Sequence, residues 1–230
     1  MNWTLNNYDR LGVALGEHVV LVGTALVLSL AIAFPLGIWS ARRRSVYVVV
    51  MAVTGMLYTV PALALFALLI PFMGLGTAPA ITALVLYSLL ILVRNIATGI
   101  RELPAELIEA ADGMGYGPWR RLVKIELPLA LPVIVAGIRI TTVTQISVAT
   151  IAAYISAGGL GDIIFQGITQ DSGEKIVAGA VTTALLAIAA DETLRRRADQ
   201  MPSGKAIASE IASAAPTSTT CSPSATPSRS

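Results

Sequence analysis

Glu109–Pro128 has the sequence EAADGMGYGPWRRLVKIELP and determines how the rest of the chain is interpreted. It is a charged, glycine-interrupted stretch between two long apolar segments. The acidic start of Glu102–Asp112 favours a short helix, which the following glycines end. Pro118 is suited to open a second helix, Trp119–Glu126, before Pro128 ends or bends it. Because helices this short are marginal in water, the stretch requires a packing partner.

The composition is that of a membrane protein. Apolar residues make up 55% of the 230 residues and charged residues only 13%, and the mean hydropathy is +0.73. An ordinary soluble domain of this length is less apolar. We therefore predict an all-α, polytopic membrane protein. The charge clusters indicate its topology and do not point to a nucleic-acid partner.

Stretches of about 20 apolar residues predict about five transmembrane helices. They are His18–Trp39, Tyr47–Ile70, Ala80–Ile100, Leu129–Ile155 and Ile176–Ala190. The last is short, so we expect it to extend into Glu174–Lys175 or Asp191–Leu194. Gly158–Ser172 is only half apolar. It is interpreted as an external loop or a re-entrant segment, and the sequence does not choose between the two.

Clusters of arginine and lysine give the orientation. They follow the first, third and fifth predicted spans, and basic residues concentrate on the cytoplasmic side of a membrane. Residues 1–17 are then an external segment without the features of a cleavable signal peptide. Residues 18–199 form the transmembrane domain, with a cytoplasmic loop at 101–128. Residues 200–230 are rich in Ser, Thr, Ala and Pro, and we expect a disordered cytoplasmic tail.

Enzymatic functions find little support in the sequence. There is no G-x-x-x-x-G-K-[S/T] loop, so we expect no ATP hydrolysis by this chain. One histidine, His18, and one cysteine, Cys221, supply neither a histidine-pair metal site nor a conventional catalytic triad. No metal site is predicted. No internal repeat is evident either, so a pore requires a second subunit, and a closed dimer is the commonest such arrangement.

The spacing of the opening stretch carries a family resemblance. Glu109, Ala110 and Ala111 are followed at fixed offsets by Gly115, Ile125, Leu127 and Pro128. This pattern resembles the signature loop of ABC importer inner-membrane permeases of the binding-protein-dependent type. Further matches begin at Thr59 (TVPALALFALLIPFMGLGTAPAITALVLYSLL), Arg94 (RN), Leu127 (LPLALPVIVAGIRI) and Ala157 (AGGLGDIIFQGI). They are similar to the subfamily that imports glycine betaine, carnitine, choline or proline.

The resemblance implies how such a chain is driven. The loop of these permeases forms a coupling helix in a groove of a cytoplasmic ATPase, which uses ATP and Mg, so this chain needs no bound cofactor. It also implies a second permease copy or paralogue, an extracytoplasmic solute-binding protein and the inner membrane. Glu109 would pair with a basic group of the ATPase. Small side chains at Ala110 and Ala111 allow close approach, and Gly115 provides the turn. Ile125 and Leu127 pack the loop on the permease, and Pro128 sets the direction of the next helix.

Six polar, aromatic or proline residues within the spans are candidates for the transport pathway: Tyr58, Pro61, Arg94, Asn95, Arg139 and Gln145. Charges inside a span are costly and usually face protein or water. Arg139 is equally consistent with a structural ion pair. For Arg94, the position near the cytoplasmic end favours snorkelling. Tyr58 and Pro61 are more typical of a kink, although a tyrosine ring suits a quaternary ammonium group.

Two other functions remain open from the sequence. One is a self-sufficient homodimeric channel or ion-coupled carrier for a small solute, which would leave the docking loop unexplained. The other is an ABC permease for a different small substrate, such as an amino acid.

Overall fold

The computed structural model describes residue 3 and residues 6–199, and its elements within that range are helical. The helices are α1 (Tyr8–Arg42), α2 (Arg44–Thr59), α3 (Ala62–Met73), α4 (Thr77–Arg101), α5 (Ala105–Gly113), α6 (Pro118–Arg121), α7 (Leu127–Ile151), α8 (Leu160–Thr169) and α9 (Gly173–Asp199). A π-helical turn, Leu122–Glu126, joins α6 to α7, and a 3-10 turn, Ala152–Ile155, follows α7. The predicted tail at 200–230 lies outside the described residues.

Four helical segments in the described range are long and apolar enough to cross a membrane, and a bent helix pair makes a possible fifth. The four are Tyr8–Arg42, Thr77–Arg101, Pro118–Ile155 and Gly173–Arg197. The prediction of about five transmembrane helices is confirmed. The predicted span Tyr47–Ile70 is divided between α2 and α3, which meet at 98°.

The break between α2 and α3 has a local cause. A proline disfavours helical geometry in the residue before it, and Val60, which precedes Pro61, is extended. The carbonyl of Val60 is thereby released from the helix, and it accepts a hydrogen bond from the Tyr87 hydroxyl on α4. The kink predicted at Tyr58 and Pro61 is therefore a full break in the helix.

Helix α4 is the centre of the bundle, packed between α1 and α7. Small residues allow these close approaches, as is common between membrane helices. A Cβ on Gly37 of α1 would lie 2.6 Å from Ile96 Cγ2 of α4, and a Cβ on Gly137 of α7 would lie 2.6 Å from Asn95 Cβ. In contrast, α2 and α9 leave most of their apolar side chains exposed, which suits contact with lipid.

Most of Gly158–Ser172, for which the sequence allowed an external loop or a re-entrant segment, forms helix α8. Gly158 and Gly159 have φ values of +80° and +82° and form the turn before the helix. A side chain at Gly161 would collide with the Thr150 carbonyl, so this glycine lets α8 pack on the end of α7. The segment is half apolar because only one face of α8 is buried.

Helix ends also differ from those predicted. Helix α1 begins at Tyr8 and not at His18, and its 35 residues span about 50 Å, well beyond a ~30 Å hydrocarbon core. Helix α9 extends past both ends of the predicted short span, in line with the expected extension into flanking charged residues. The first loop helix begins at Ala105, after Pro104, and not at Glu102. The second predicted loop helix, Trp119–Glu126, does not end at Pro128, because the chain continues through this proline as α7.

Candidate functional site

The loop between α4 and α7 turns sharply between its two short helices. Helix α5 ends at Gly113, and Gly115 has a φ of +78°, in the left-handed region. The Gly115 N–H donates to the Asp112 carbonyl at 3.0 Å. A side chain at Gly115 would meet no neighbouring atom, so its backbone conformation alone favours glycine there. Helix α6 then begins at Pro118.

Four charged side chains fix this loop to the end of α1, and we call them the Glu126 cluster: Arg42, Asp112, Arg121 and Glu126. Glu126 is only 1% exposed. Its carboxylate accepts hydrogen bonds from Arg42 Nη2 at 2.8 Å and from Arg121 Nε at 2.9 Å. Arg121 Nη1 also donates to Asp112 Oδ2 at 2.6 Å. The cluster thus joins α1, α5, α6 and the π-helical turn.

Sequence reasoning missed the Glu126 cluster. Arg42 and Glu126 are 84 residues apart, and nothing in the spacing of the loop pairs them. One signal was available, because Glu126 is an acidic residue between Ile125 and Leu127 in a stretch expected to be buried. A buried carboxylate needs a cationic partner.

The predicted coupling residues lie on both sides of the loop. Ala111 and Ile125 are buried, Ala110, Leu127 and Pro128 are half-buried, and Glu109 and Gly115 are exposed. Beside Glu109, the outer surface carries large apolar side chains, which we call the loop surface: Met114 (37% exposed), Trp119 (74%) and Val123 (46%). Exposed apolar side chains on a charged loop are typical of a protein contact site.

A groove of about 450 Å³ lies between α2, α4 and α7, and it brings together three of the predicted pathway residues. It is lined by Tyr58, Leu90, Ile91, Arg94, Asn95, Thr98 and Ile140. Ile91, Arg94, Asn95 and Thr98 recur at helical spacing, so one face of α4 forms the floor. That spacing was available in the sequence, but Leu90, Ile91, Thr98 and Ile140 were not identified as lining residues.

The other three predicted pathway residues lie apart from this groove. Pro61 occupies the position directly before α3. Arg139 makes a two-point ion pair with Asp191 of α9, at 2.8 and 2.9 Å. Gln145 is buried and donates to the Ser88 and Ser29 hydroxyls at 2.6 and 3.2 Å. Arg139 and Gln145 therefore hold helices together.

A second cavity, of about 300 Å³, lies at the end of the bundle opposite the loop. Its lining includes Arg10, Glu17 and Asp162. The Glu17 carboxylate accepts a hydrogen bond from the Gly159 N–H at 3.0 Å. Burial, with a smaller contribution from the negative charge of Glu17, raises the pKa of Asp162. With Asp9, the lining has three acidic residues and one arginine, so this cavity is acidic.

Comparison with known proteins gives a consistent result. The profile of the family described as "Binding-protein-dependent transport system inner membrane component" matches residues 33–192. The carnitine transport permease protein OpuCB of Listeria monocytogenes is 42% identical over 188 residues, which cover 82% of this chain and 86% of the relative. The osmoprotectant import permease protein OsmW of Salmonella typhimurium is 41% identical over 201 residues, with coverages of 85% and 94%.

A third relative has a broader described substrate range. The glycine betaine/carnitine/choline transport system permease protein OpuCB of Bacillus subtilis is 39% identical and covers 84% of this chain and 89% of its own length. Among solved structures, an inward-facing MetNI methionine ABC transporter matches with a TM-score of 0.69 and 24% identity. The match covers 81% of this chain and 95% of that one. At this identity the likeness is one of fold alone.

Proposed function

The chain belongs to the family of binding-protein-dependent transport system inner membrane components, and on that premise we propose that it imports a compatible solute such as glycine betaine, carnitine, choline or proline. It is a multi-pass permease of the inner membrane, and ATP hydrolysis belongs to a separate subunit. This family membership favours the importer over a self-sufficient channel or carrier. The substrates for which the relatives are named favour an osmoprotectant over an amino acid.

The observation that carries the proposal is the loop surface, held in place by the Glu126 cluster. Trp119 is 74% exposed, although tryptophan is usually well buried. At the same time Arg121 and Glu126 anchor the loop to the end of α1. A surface that is apolar outside and rigidly attached inside suits the transfer of movement from a partner. We therefore assign this surface to docking on the cytoplasmic ATPase.

The predicted coupling residues have distinct tasks in this proposal. Glu109 faces outward and pairs with a basic group of the ATPase, and the small Ala110 lets the partner come close. Gly115 aims the second short helix. On the inner side, Ala111, Ile125 and Leu127 pack against the permease, and Pro128 lies in the first turn of α7. Movement of the ATPase is thereby passed to α7 and, through Arg42, to α1.

The remaining partners follow from the same proposal. The loop end lies in the cytoplasm, the start of α1 lies outside, and the acidic outer end contacts a solute-binding protein. A second copy or a paralogue completes the pathway, with the groove of Tyr58, Arg94 and Asn95 as this chain's share of it. ATP and Mg are used by the ATPase, and no cofactor is bound by this chain.

The proposal is tested by uptake into proteoliposomes. The permease is reconstituted with its ATPase, its second permease subunit and its binding protein, and labelled glycine betaine, carnitine, choline and proline are offered. We expect uptake of at least one of them with ATP inside and almost none with a non-hydrolysable analogue. Equal uptake without ATP would contradict an ATP-driven importer, and uptake of none would contradict the substrate class.

The loop is tested by substitution at Gly115. Gly115→Val places a β-branched side chain at a φ of +78°, a strained conformation, and should re-aim α6. We expect normal membrane insertion with uptake lowered about tenfold or more per ATP hydrolysed. Gly115→Asn is the matched control, because asparagine tolerates this region better. If the valine variant imports normally, the turn has no role in coupling.

A further inference from the structure

Arg94 is an intramembrane arginine without a counter-ion in the described part of the chain. It lies on α4, about 10 Å from the helix end that carries the loop, and its side chain is exposed in the groove. Among the described residues its guanidinium has no ion pair, hydrogen bond or aromatic contact. Arg42, Arg121 and Arg139 each bind a carboxylate. Arg94 therefore has a free guanidinium where a charge is costly.

Thr98, one helical turn further along α4, has a free hydroxyl as well. Threonines in membrane helices usually donate to a carbonyl of the preceding turn, and Thr142 and Thr144 of α7 both do so at 2.8 Å. The Thr98 hydroxyl makes no hydrogen bond with the described residues. Arg94 and Thr98 thus present hydrogen-bond donors to the same space. A guanidinium matches a carboxylate with two parallel hydrogen bonds.

An aromatic ring lines the same groove. Tyr58, in the last turn of α2, is 40% exposed. Its ring packs edge-on against Tyr87 with centroids 5.5 Å apart. The Tyr87 hydroxyl is engaged by the Val60 carbonyl, which fixes this pair at the break between α2 and α3. An aromatic face attracts quaternary ammonium groups.

We propose that the groove is a binding site for a zwitterion, with the solute's carboxylate on Arg94 and Thr98 and its quaternary ammonium group on the Tyr58 ring. This inference rests on the proposed function and names the substrate class at that site. A solute with both groups, such as glycine betaine or carnitine, uses both ends of the groove. Choline has no carboxylate and uses only the ring.

The first test compares two solutes in the complete reconstituted transporter. In Arg94→Gln we expect glycine betaine uptake to fall tenfold or more while choline uptake changes less than about twofold. Arg94→Lys keeps the charge but loses the two-point geometry, so it should fall between Arg94→Gln and the unmodified protein. Arg197→Gln, which removes an exposed arginine from the end of α9, is the control and should leave both uptakes unchanged.

The second test needs neither the ATPase nor the binding protein. The single cysteine is replaced by Cys221→Ser, and Thr98→Cys is labelled with a neutral maleimide in the purified permease in nanodiscs. Millimolar glycine betaine should slow labelling at least threefold, choline should not, and Arg94→Gln should abolish the protection. Absence of protection in the presence of Arg94 overturns the binding site, whatever the uptake result.

The outcomes separate this inference from the proposed function and from a lipid role. If the unmodified transporter imports neither solute, the proposed function fails, and the labelling result alone decides the site. An equal fall of both uptakes in Arg94→Gln overturns the site and indicates a structural role. If uptake is unchanged but the unfolding midpoint depends on anionic lipid only while Arg94 is present, the arginine binds a lipid phosphate, and the zwitterion site is refuted.

Discussion

The loop end of the bundle and the groove use charge in opposite ways. In the Glu126 cluster, a carboxylate that is 1% exposed is bound by two arginines, and one of these binds a second carboxylate. In the groove, Arg94 is exposed and meets no carboxylate among the described residues. The first arrangement is complete within the chain. In the second arrangement, Arg94 gains a negatively charged partner only when a ligand enters the groove.

This difference separates structural charges from functional ones. Removing one side of a buried ion pair leaves an uncompensated charge and destabilises the fold. Removing a free charge leaves the fold intact and changes what the molecule binds. We therefore expect substitutions in the cluster to act mainly on stability and those in the groove mainly on transport.

The largest effect is expected when Glu126 loses both of its arginines. Arg42→Ala with Arg121→Ala leaves its buried carboxylate without a cation, which should cost about 3–5 kcal/mol of unfolding free energy. The measurement is the unfolding midpoint of the purified permease in detergent. Arg43→Ala, a neighbouring exposed arginine, is the control and should change little.

A third substitution sharpens that result. Adding Glu126→Gln to the double variant removes the unpaired charge, so part of the lost stability should return. If the double variant unfolds at the same midpoint as the unmodified protein, the cluster is screened by water. The charges of the cluster would then contribute no more to the stability of the fold than the charge of Arg94 does.

A moderate effect is expected from Gly137→Ala, which tests how the groove is built. The added Cβ would lie 2.6 Å from Asn95 Cβ, and such overpacking typically costs about 1–3 kcal/mol. Because Asn95 lines the groove, glycine betaine uptake should fall together with the unfolding midpoint. Gly55→Ala of α2 is the control, since a Cβ there has no neighbour within 4 Å. Equal midpoints for the two variants would show that α4 and α7 can separate freely.

The sequence could predict the loop and the spans because both depend on local patterns. Fixed spacing identified the Glu109–Pro128 signature, and apolar length identified about five membrane helices. Ion pairs depend on contacts between distant segments, so the partners of Glu126 were not predictable. Helix α8 was missed because it is short, opens with glycines and buries only one face. The break at Pro61 was expected only as a kink, since its angle is set by packing on α4.

Two arginines show this limit most clearly. Arg94 and Arg139 both lie within apolar helices, and the sequence around them does not show which of the two has a carboxylate partner. Asp191, the partner of Arg139, lies 52 residues further along the chain. Only the packing of α9 against α7 shows that Arg139 is paired, while Arg94 opens into the groove.

The smallest effect is expected from Asp191→Asn. It breaks the ion pair with Arg139, but both side chains are partly exposed, at 29% and 39%, so water compensates much of the loss. The unfolding midpoint should drop by no more than about 3 °C, and the ratio of glycine betaine to choline uptake should stay constant. Exchanging the charges, with Arg139→Asp and Asp191→Arg, should restore the midpoint. If Asp191→Asn instead shifts that ratio as Arg94→Gln does, a paired arginine also selects the solute, and pairing no longer distinguishes structural charges from functional ones.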